Sequence, residues 1–398
     1  MPVKSSPRAA ARPRFGFAAV LYVFAVVMMG TTLPTPVYPA YQAEFGFGSL
    51  TTTVIFAVYA AGVILALLSV GRLSQALGRR PLLLAGVALS LASAVLFWIG
   101  ADEALLFAGR VLSGFSAGVL TSTGTIAVLE AAPRGRERLA SALATAANIG
   151  GLGLGMLVAG LLSSFTAWPT RAPFAAHAGL ALLAAVALLA VPETVAVGDR
   201  TPVRLQLPRV PREARSVFGP ASIGAVVGFA VCGLFSSVAP NFVGSVLDIH
   251  SAAVVGTVTA SLFFASAVAQ IALARLGIRP GVRLGYVLLV AGMLVLAVAL
   301  PLASLPLLLL AAIVAGAGQG LLFTFGLRAV TAATPDERRS EATSVYFVVA
   351  YIAIAVPAVA AGIAASLWGL TPTGVGFSVL VIAAALVGLA RAGRLETA

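Results

Sequence analysis

The chain has 398 residues, of which 60% are hydrophobic and only 10% charged, and its mean hydropathy is +1.05. Soluble domains carry about 25% charged residues, so this composition excludes a soluble globular fold and points to a chain that crosses a membrane many times. The net charge of +12 does not indicate a nucleic-acid partner, because the basic residues fall in short clusters between apolar runs and form no aromatic-interleaved basic face.

A membrane helix needs about 20 mainly apolar residues. Taken in chain order, twelve runs meet that need: 17–38, 51–71, 82–100, 104–128, 140–163, 173–191, 218–242, 252–273, 284–304, 305–330, 341–366 and 373–391. Spans nine and ten are separated only by the stretch from Pro301 to Pro306. The first run follows a basic segment, as in a secretory leader. At about 22 residues, and without a small-residue cleavage site, it reads as a retained first span.

The basic residues orient the set. With a cytoplasmic N-terminus, 23 of the 25 lysines and arginines fall on the inside, and only Arg110 and Arg171 do not. Glu44, Asp102, Glu103 and Asp248 fall on the outside. This is a positive-inside pattern. It predicts a multi-pass plasma-membrane protein with both termini cytoplasmic, and it supports twelve spans, since a missed span would invert every later loop.

The chain also repeats itself. At an offset of 202, Gly114, Gly118, Leu120, Gly124, Pro133, Arg136 and Gly160 meet Gly316, Gly320, Leu322, Gly326, Pro335, Arg338 and Gly362. At an offset of 203, Arg72, Leu73, Gly78 and Arg80 meet Arg275, Leu276, Gly281 and Arg283. The expected organisation is a cytoplasmic tail at 1–16, a six-helix bundle at 17–191, a Pro- and Arg-rich cytoplasmic linker at 192–217, and a second six-helix bundle with a short tail at 218–398. The fold class predicted is an all-α membrane protein, twelve transmembrane helices in two pseudo-symmetric six-helix bundles. Parallel halves of this kind are the architecture of a rocker-switch carrier, with the solute site at the midplane between them.

Other chemistries find little support. Cys232 is the single cysteine and His177 and His250 are the two histidines, so neither an intrachain disulfide nor a His/Cys zinc site is expected. There is no G-x-x-x-x-G-K-[ST] phosphate loop, and the glycines lie in spans rather than after strands. No cofactor and no enzymatic activity are expected.

Three motifs carry a resemblance. GRLSQALGRR, from Gly71 to Arg80, is a polar decapeptide between spans two and three. Arg110 in span four is followed by Gly114 and Gly118 on the same helix face. Span five contains NIGGLGLGMLVAG, from Asn148 to Gly160. Together with the twelve spans, the central linker and the repeat, these resemble the major facilitator superfamily: its loop signature, roughly G-x-L-x-D-R-x-G-R-R, its span-four arginine motif and its antiporter motif, G-x-x-x-G-P-x-x-G-G. The chain departs from the pattern at Gln75, where the family has Asp, at Ala76, where Arg is frequent, and at Met156, where the antiporter motif has Pro. The resemblance implies a secondary transporter, most similar to the drug and sugar efflux branches.

The residues suggest where its site would lie. Arg110 is costly inside a membrane, about 2.5–3.5 kcal/mol on insertion scales. It either binds an anionic group or modulates a proton site, or else it reaches outward to pair with Asp102 or Glu103. No acid sits within a span, which leaves His177 and Glu44 as proton-coupling candidates, with a packing histidine and a solvated rim charge as the plain alternatives. Pro34 and Pro36 disrupt span one in GTTLPTPVY, so that Thr31, Thr35 and Tyr38 line an outer gate opposite SSVAPN of span seven, which holds Asn241. Asn148, Gln270, Gln319, Tyr346 and Tyr351 are the remaining candidates for solute contact. Gly151 and Gly155 are expected to form a sliding surface between the halves. Gly71, Arg72, Gln75, Gly78, Arg79 and Arg80 form a gating loop, with Glu130 as an acidic partner. TPDE, from Thr334 to Glu337, has the form of a capping box.

The expected function is proton-coupled efflux of a small organic or drug-like solute by a monomer in the lipid bilayer, working by alternating access. The alternatives are uptake or facilitated diffusion of a sugar-like or organic-anion solute, and a sensor that moves nothing.

Overall fold

The computed structural model describes residues 12–133, 135–191, 209–335 and 338–395. Most of the expected linker and of the N-terminal tail lies outside these residues. Among the described residues, twelve helical segments are long and apolar enough to cross a membrane: Gly16–Phe45, Leu50–Ser69, Arg79–Ile99, Glu103–Glu130, Leu139–Phe165, Ala172–Leu189, Arg212–Ser245, Ala252–Ala272, Ile278–Ala299, Leu305–Ala332, Glu341–Trp368 and Leu370–Arg391. They are spans one to twelve below.

The two halves repeat their contacts as well as their sequence. A Cβ added to Gly114 would strike the carbonyl of Tyr59, and one added to Gly316 the carbonyl of Leu262. Four residues on, Gly118 faces Val63 and Gly320 faces Ser266. Tyr59 and Val63 meet Leu262 and Ser266 at the repeat's offset of 203. The same two glycine notches therefore seat span two on span four and span eight on span ten. Small residues allow this close approach, which contributes dispersion contacts where lipid offers no hydrophobic driving force between helices. Across the halves, span two packs on span eleven and span five on span eight.

Two local expectations are revised. The decapeptide at 71–80 is not a loop. The helix of span two runs from Ser49 to Leu77 and that of span three starts at Arg79. The whole turn is Gly78, at φ +91°, a conformation that favours glycine. The expected capping box rests on Glu337, which lies outside the described residues; the hydroxyl of Thr334 donates back to the carbonyl of Val330 at 2.6 Å. Finally, span one is longer than its first apolar run. Pro34 ends regular helix after Thr32, a 3-10 turn covers Thr35–Val37, and helix resumes over Tyr38–Phe45.

Candidate functional site

A cavity of about 1290 Å³ lies between the halves. Its walls come from spans two, four and five on one side and spans eight, ten and eleven on the other. Arg275 and Arg339 stand at its mouth, both exposed. The cavity therefore opens on the arginine-rich face of the molecule. Cavities of this size exceed the usual range for a drug-sized ligand, roughly 300–1,000 Å³.

Toward the opposite face the halves are sealed by close backbone approach. Gly160 of span five meets Ala252 and Gly256 of span eight, and Gly362 of span eleven meets Thr53 of span two. The broken ends of spans one and seven, Tyr38–Phe45 and Ala239–Ser245, touch each other at the same level. Between seal and cavity lies an aromatic partition. Tyr59 and Tyr351 meet edge-on across the halves at 6.3 Å, Tyr351 lies 6.4 Å from Phe229, and Phe229 lies 5.2 Å from Phe323 of the cavity wall.

Of the twelve candidates for solute or coupling contact, Asn148 and Gln270 line the cavity. Asn148 sits on a π-turn, Ala146–Gly150, about two turns into span five. Such turns shift the helix register by one residue and recur at functional sites. Gln270 belongs to a relay between spans eight and ten. Thr324 donates to its Oε1 at 2.7 Å, its Nε2 donates to Ser266 Oγ at 3.0 Å, and Ser266 donates to Gln319 Oε1 at 2.8 Å. Gln319 is thus behind the wall rather than in it. Tyr346 is also set back, stacked on Phe323 at 5.8 Å. Tyr351 belongs to the partition. The cavity-facing Thr121, Ser122, Thr125, Thr324 and Arg328 escaped the sequence reading. Arg328 was legible as an arginine inside the tenth apolar run, but was counted only as a topological charge.

Arg110 neither faces the cavity nor reaches outward. It is 1% exposed, and its donors turn to the break in span one. Nε donates to the hydroxyl of Tyr38 at 2.6 Å and Nη1 to the carbonyl of Thr31 at 2.6 Å. That carbonyl belongs to the last turn of the helix that ends at Thr32, where carbonyls lack an intrahelical partner. The guanidinium carbon lies 5.2, 5.7 and 5.9 Å from the ring centres of Tyr38, Tyr59 and Phe97, within cation–π range. Nη2 has no hydrogen-bond partner among the described residues, and no carboxylate pairs with the group. Asp102, the alternative partner, instead caps span four by accepting from the Leu105 amide at 2.9 Å.

The other candidates surround the same break or lie beyond it. His177 is buried, shares a hydrogen bond with Ser90 Oγ at 2.9 Å, and fits against Gly30, where a Cβ would collide with its ring. Thr31 Oγ1 donates to Met28 O, and Thr35 is buried with no hydrogen-bond partner for its hydroxyl among the described residues. Asn241 is buried on the opposing segment of span seven. Glu44 is exposed at the end of span one.

Gly151 and Gly155 do not slide between halves. Both face span one of their own half, at Ala25, Met28, Met29 and Thr32. Gly153 and Gly160, on the other side of the helix, make the contact with span eight. At the arginine-rich face, Arg79 forms a two-point ion pair with Glu130, Nη2 to Oε1 at 3.1 Å and Nε to Oε2 at 3.3 Å. Arg80 donates to the carbonyl of Leu189 at 2.8 Å. The side chains of Gly71, Arg72 and Gln75 lie outside the described residues.

Two pseudo-symmetric six-helix halves enclosing a midplane cavity that is open to one face and sealed from the other define a membrane transporter. The sequence matches the family model of the Major Facilitator Superfamily over residues 20–250 and 221–396. The chain belongs to that superfamily. A search of curated proteins found no match. Among solved structures, the fold is similar to the peptide transporter POT in complex with sulfate, at 16% identity and a TM-score of 0.77 over 96% of this chain and 94% of that one. A mutant of the same transporter in complex with alafosfalin gives 17% and 0.77 over 96% and 94%. A POT family transporter in complex with 5-aminolevulinic acid gives 13% and 0.75 over 100% and 98%. The efflux branches of the superfamily do not appear among these neighbours.

Proposed function

We propose that this chain exports a small organic solute from the cytoplasm by alternating access, with the proton gradient as driving force. The observation that carries the reading is the cavity, open on the arginine-rich face and closed opposite by the Gly160–Gly256 and Thr53–Gly362 contacts. The distribution of arginines supports a cytoplasmic open face, and the reading takes the protein as a monomer in the plasma membrane with both termini inside. Export, and kinship with the drug and sugar efflux branches, rest on the glycine run of span five.

Proton coupling has two candidate groups, His177 and Glu44, and neither lines the cavity. His177 touches Gly30 just before the break in span one, and Arg110 holds Thr31 and Tyr38, which flank the break. Coupling through His177 would therefore act on the break rather than by contact with solute. The Arg79–Glu130 pair ties span three to span four beside the cavity mouth, where the gating turn at Gly78 lies. A second reading, facilitated diffusion of an organic anion, is favoured by the arginines of the cavity and by the lack of a carboxylate among the described residues of its walls.

A solute screen in proteoliposomes with an imposed pH gradient tests the proposal. Uphill solute movement that collapses with the pH gradient is expected. Flux indifferent to the gradient would remove proton coupling, and no flux of any solute from a folded protein would favour a sensor.

A further inference from the structure

The two walls of the cavity are unequal at positions the repeat makes equivalent. Leu67, Ser122 and Ile126 on the N-terminal half correspond to Gln270, Thr324 and Arg328 on the C-terminal half, at offsets of 203, 202 and 202. All six line the cavity. The C-terminal three form one polar strip: Thr324 bonds Gln270, and Arg328 lies one helical turn beyond Thr324. Two of their three counterparts are aliphatic, and Ile126 keeps 38% of its surface exposed.

Arg328 is held but not neutralised. Its Nη1 donates to the carbonyl of Ala274 at 2.8 Å, and its guanidinium carbon lies 5.0 Å from the ring centre of Phe325. These contacts fix the planar fork at the cavity wall. Among the described residues, no carboxylate pairs with it and none lines the cavity. Arg275 adds positive charge at the mouth. A cleft with low-dielectric walls and charge of one sign concentrates counter-ions, and a guanidinium fork matches a planar or tetrahedral oxyanion in two-point fashion.

We propose that the solute is an amphipathic organic anion whose carboxylate, sulfonate or phosphonate group docks on Arg328, with its apolar body against Leu67 and Ile126. The proposal rests on the transporter reading for its biological sense, but not for its test. A cationic solute would face Arg328 with no acid to offset it. A neutral one would leave the guanidinium without the partner that its position invites.

The test is binding to the purified full chain in detergent, where transport is not needed. The probes are naphthalene-1-sulfonate, its neutral sulfonamide, and a naphthylmethyl-trimethylammonium ion of similar size. Calorimetry and the thermal midpoint are the readouts. The sulfonate is expected to bind and to raise the midpoint. The sulfonamide is expected to bind about tenfold or more weakly, and the cation not at all. Arg328→Gln should cost the sulfonate about tenfold or more while leaving sulfonamide binding unchanged, and Arg328→Lys should recover part of the loss. Unchanged sulfonamide binding shows that the Gln variant is folded. The proposal is overturned if the three probes bind alike, if none binds up to millimolar concentration, or if Arg328→Gln binds the sulfonate as the native chain does. Sulfonate binding without flux in proteoliposomes would remove the transport reading alone. Flux of only neutral or cationic solutes would remove the anion alone.

Discussion

Arg110 is the residue whose position most needs a reason. A buried guanidinium with no carboxylate beside it is expensive to keep, and replacing such a group by an apolar side chain of similar volume is often neutral or stabilising. Its hydrogen bonds go to Thr31 O and Tyr38 Oη, on either side of the proline break in span one. We expect Arg110→Met to keep or raise the thermal midpoint of the purified protein and to lower solute flux at least tenfold. A variant that fails to fold would mark Arg110 as structural. Tyr38→Phe removes one acceptor and leaves the ring, so a smaller loss of flux at nearly unchanged midpoint is expected. The sequence already marked Arg110, because an arginine in an apolar run stands out. It did not show the partners, because a carbonyl in the last turn of a helix has no signature of its own in the amino-acid string.

At the scale of elements, span five carries two different glycine faces. Gly155 is pressed against Met29 and Thr32 within the half, and Gly160 against Ala252 and Gly256 across the halves. Leucine at either site has no room, and overpacking costs about 1–3 kcal/mol. The two variants should nevertheless fail differently. Gly155→Leu is expected to lower the thermal midpoint, as a fault inside a packed half. Gly160→Leu should fold but hold the far face open, read as faster labelling of a cysteine placed at Thr53 by an impermeant reagent. Equal labelling of Thr53→Cys with and without Gly160→Leu would show that this contact does not close the face. Gly78 makes the whole turn between spans two and three at φ +91° and ψ 166°, a region where other residues are strained by about 1–3 kcal/mol. Gly78→Ala should therefore lower the thermal midpoint by a few degrees. A spacing of four residues predicted close packing for Gly151 and Gly155, yet spacing cannot say which neighbour a helix face meets. That is why the expected sliding surface lies one helix face away from them, at Gly153 and Gly160.

For the molecule as a whole, hydropathy, the arginine pattern and the repeat were enough for twelve spans in two halves. All three report on lipid and topology, which act on every residue of a span. The solute site was less legible. Asn148 and Gln270 were named from polarity inside apolar runs and do line the cavity. Gln319, Tyr346 and Tyr351 carried the same signal, yet stand behind the wall or in the partition, since polarity does not encode which way a helix is turned. Arg328 was passed over because a basic residue near the inner end of a span already has a topological explanation. The aromatic partition of Tyr59, Tyr351 and Phe229 separates Arg110 from the cavity. Its residues come from spans two, seven and eleven, so only the packed halves bring them together. Tyr351→Ala removes the ring that bridges the halves and should shift the population toward opening at the far face.

The central claim is that one cavity changes sides as the halves rock about the midplane. Spin labels on Leu50 and Trp368 report the far face, and labels on Leu139 and Ala332 the arginine-rich face, all four sites being exposed. Pulsed distance measurements in nanodiscs, with and without solute and at two pH values, read both pairs. Alternating access predicts two populations in each pair with opposite weights, the far pair lengthening under the conditions that shorten the arginine-side pair. A single distance in both pairs under every condition, or two pairs that lengthen together, would contradict it.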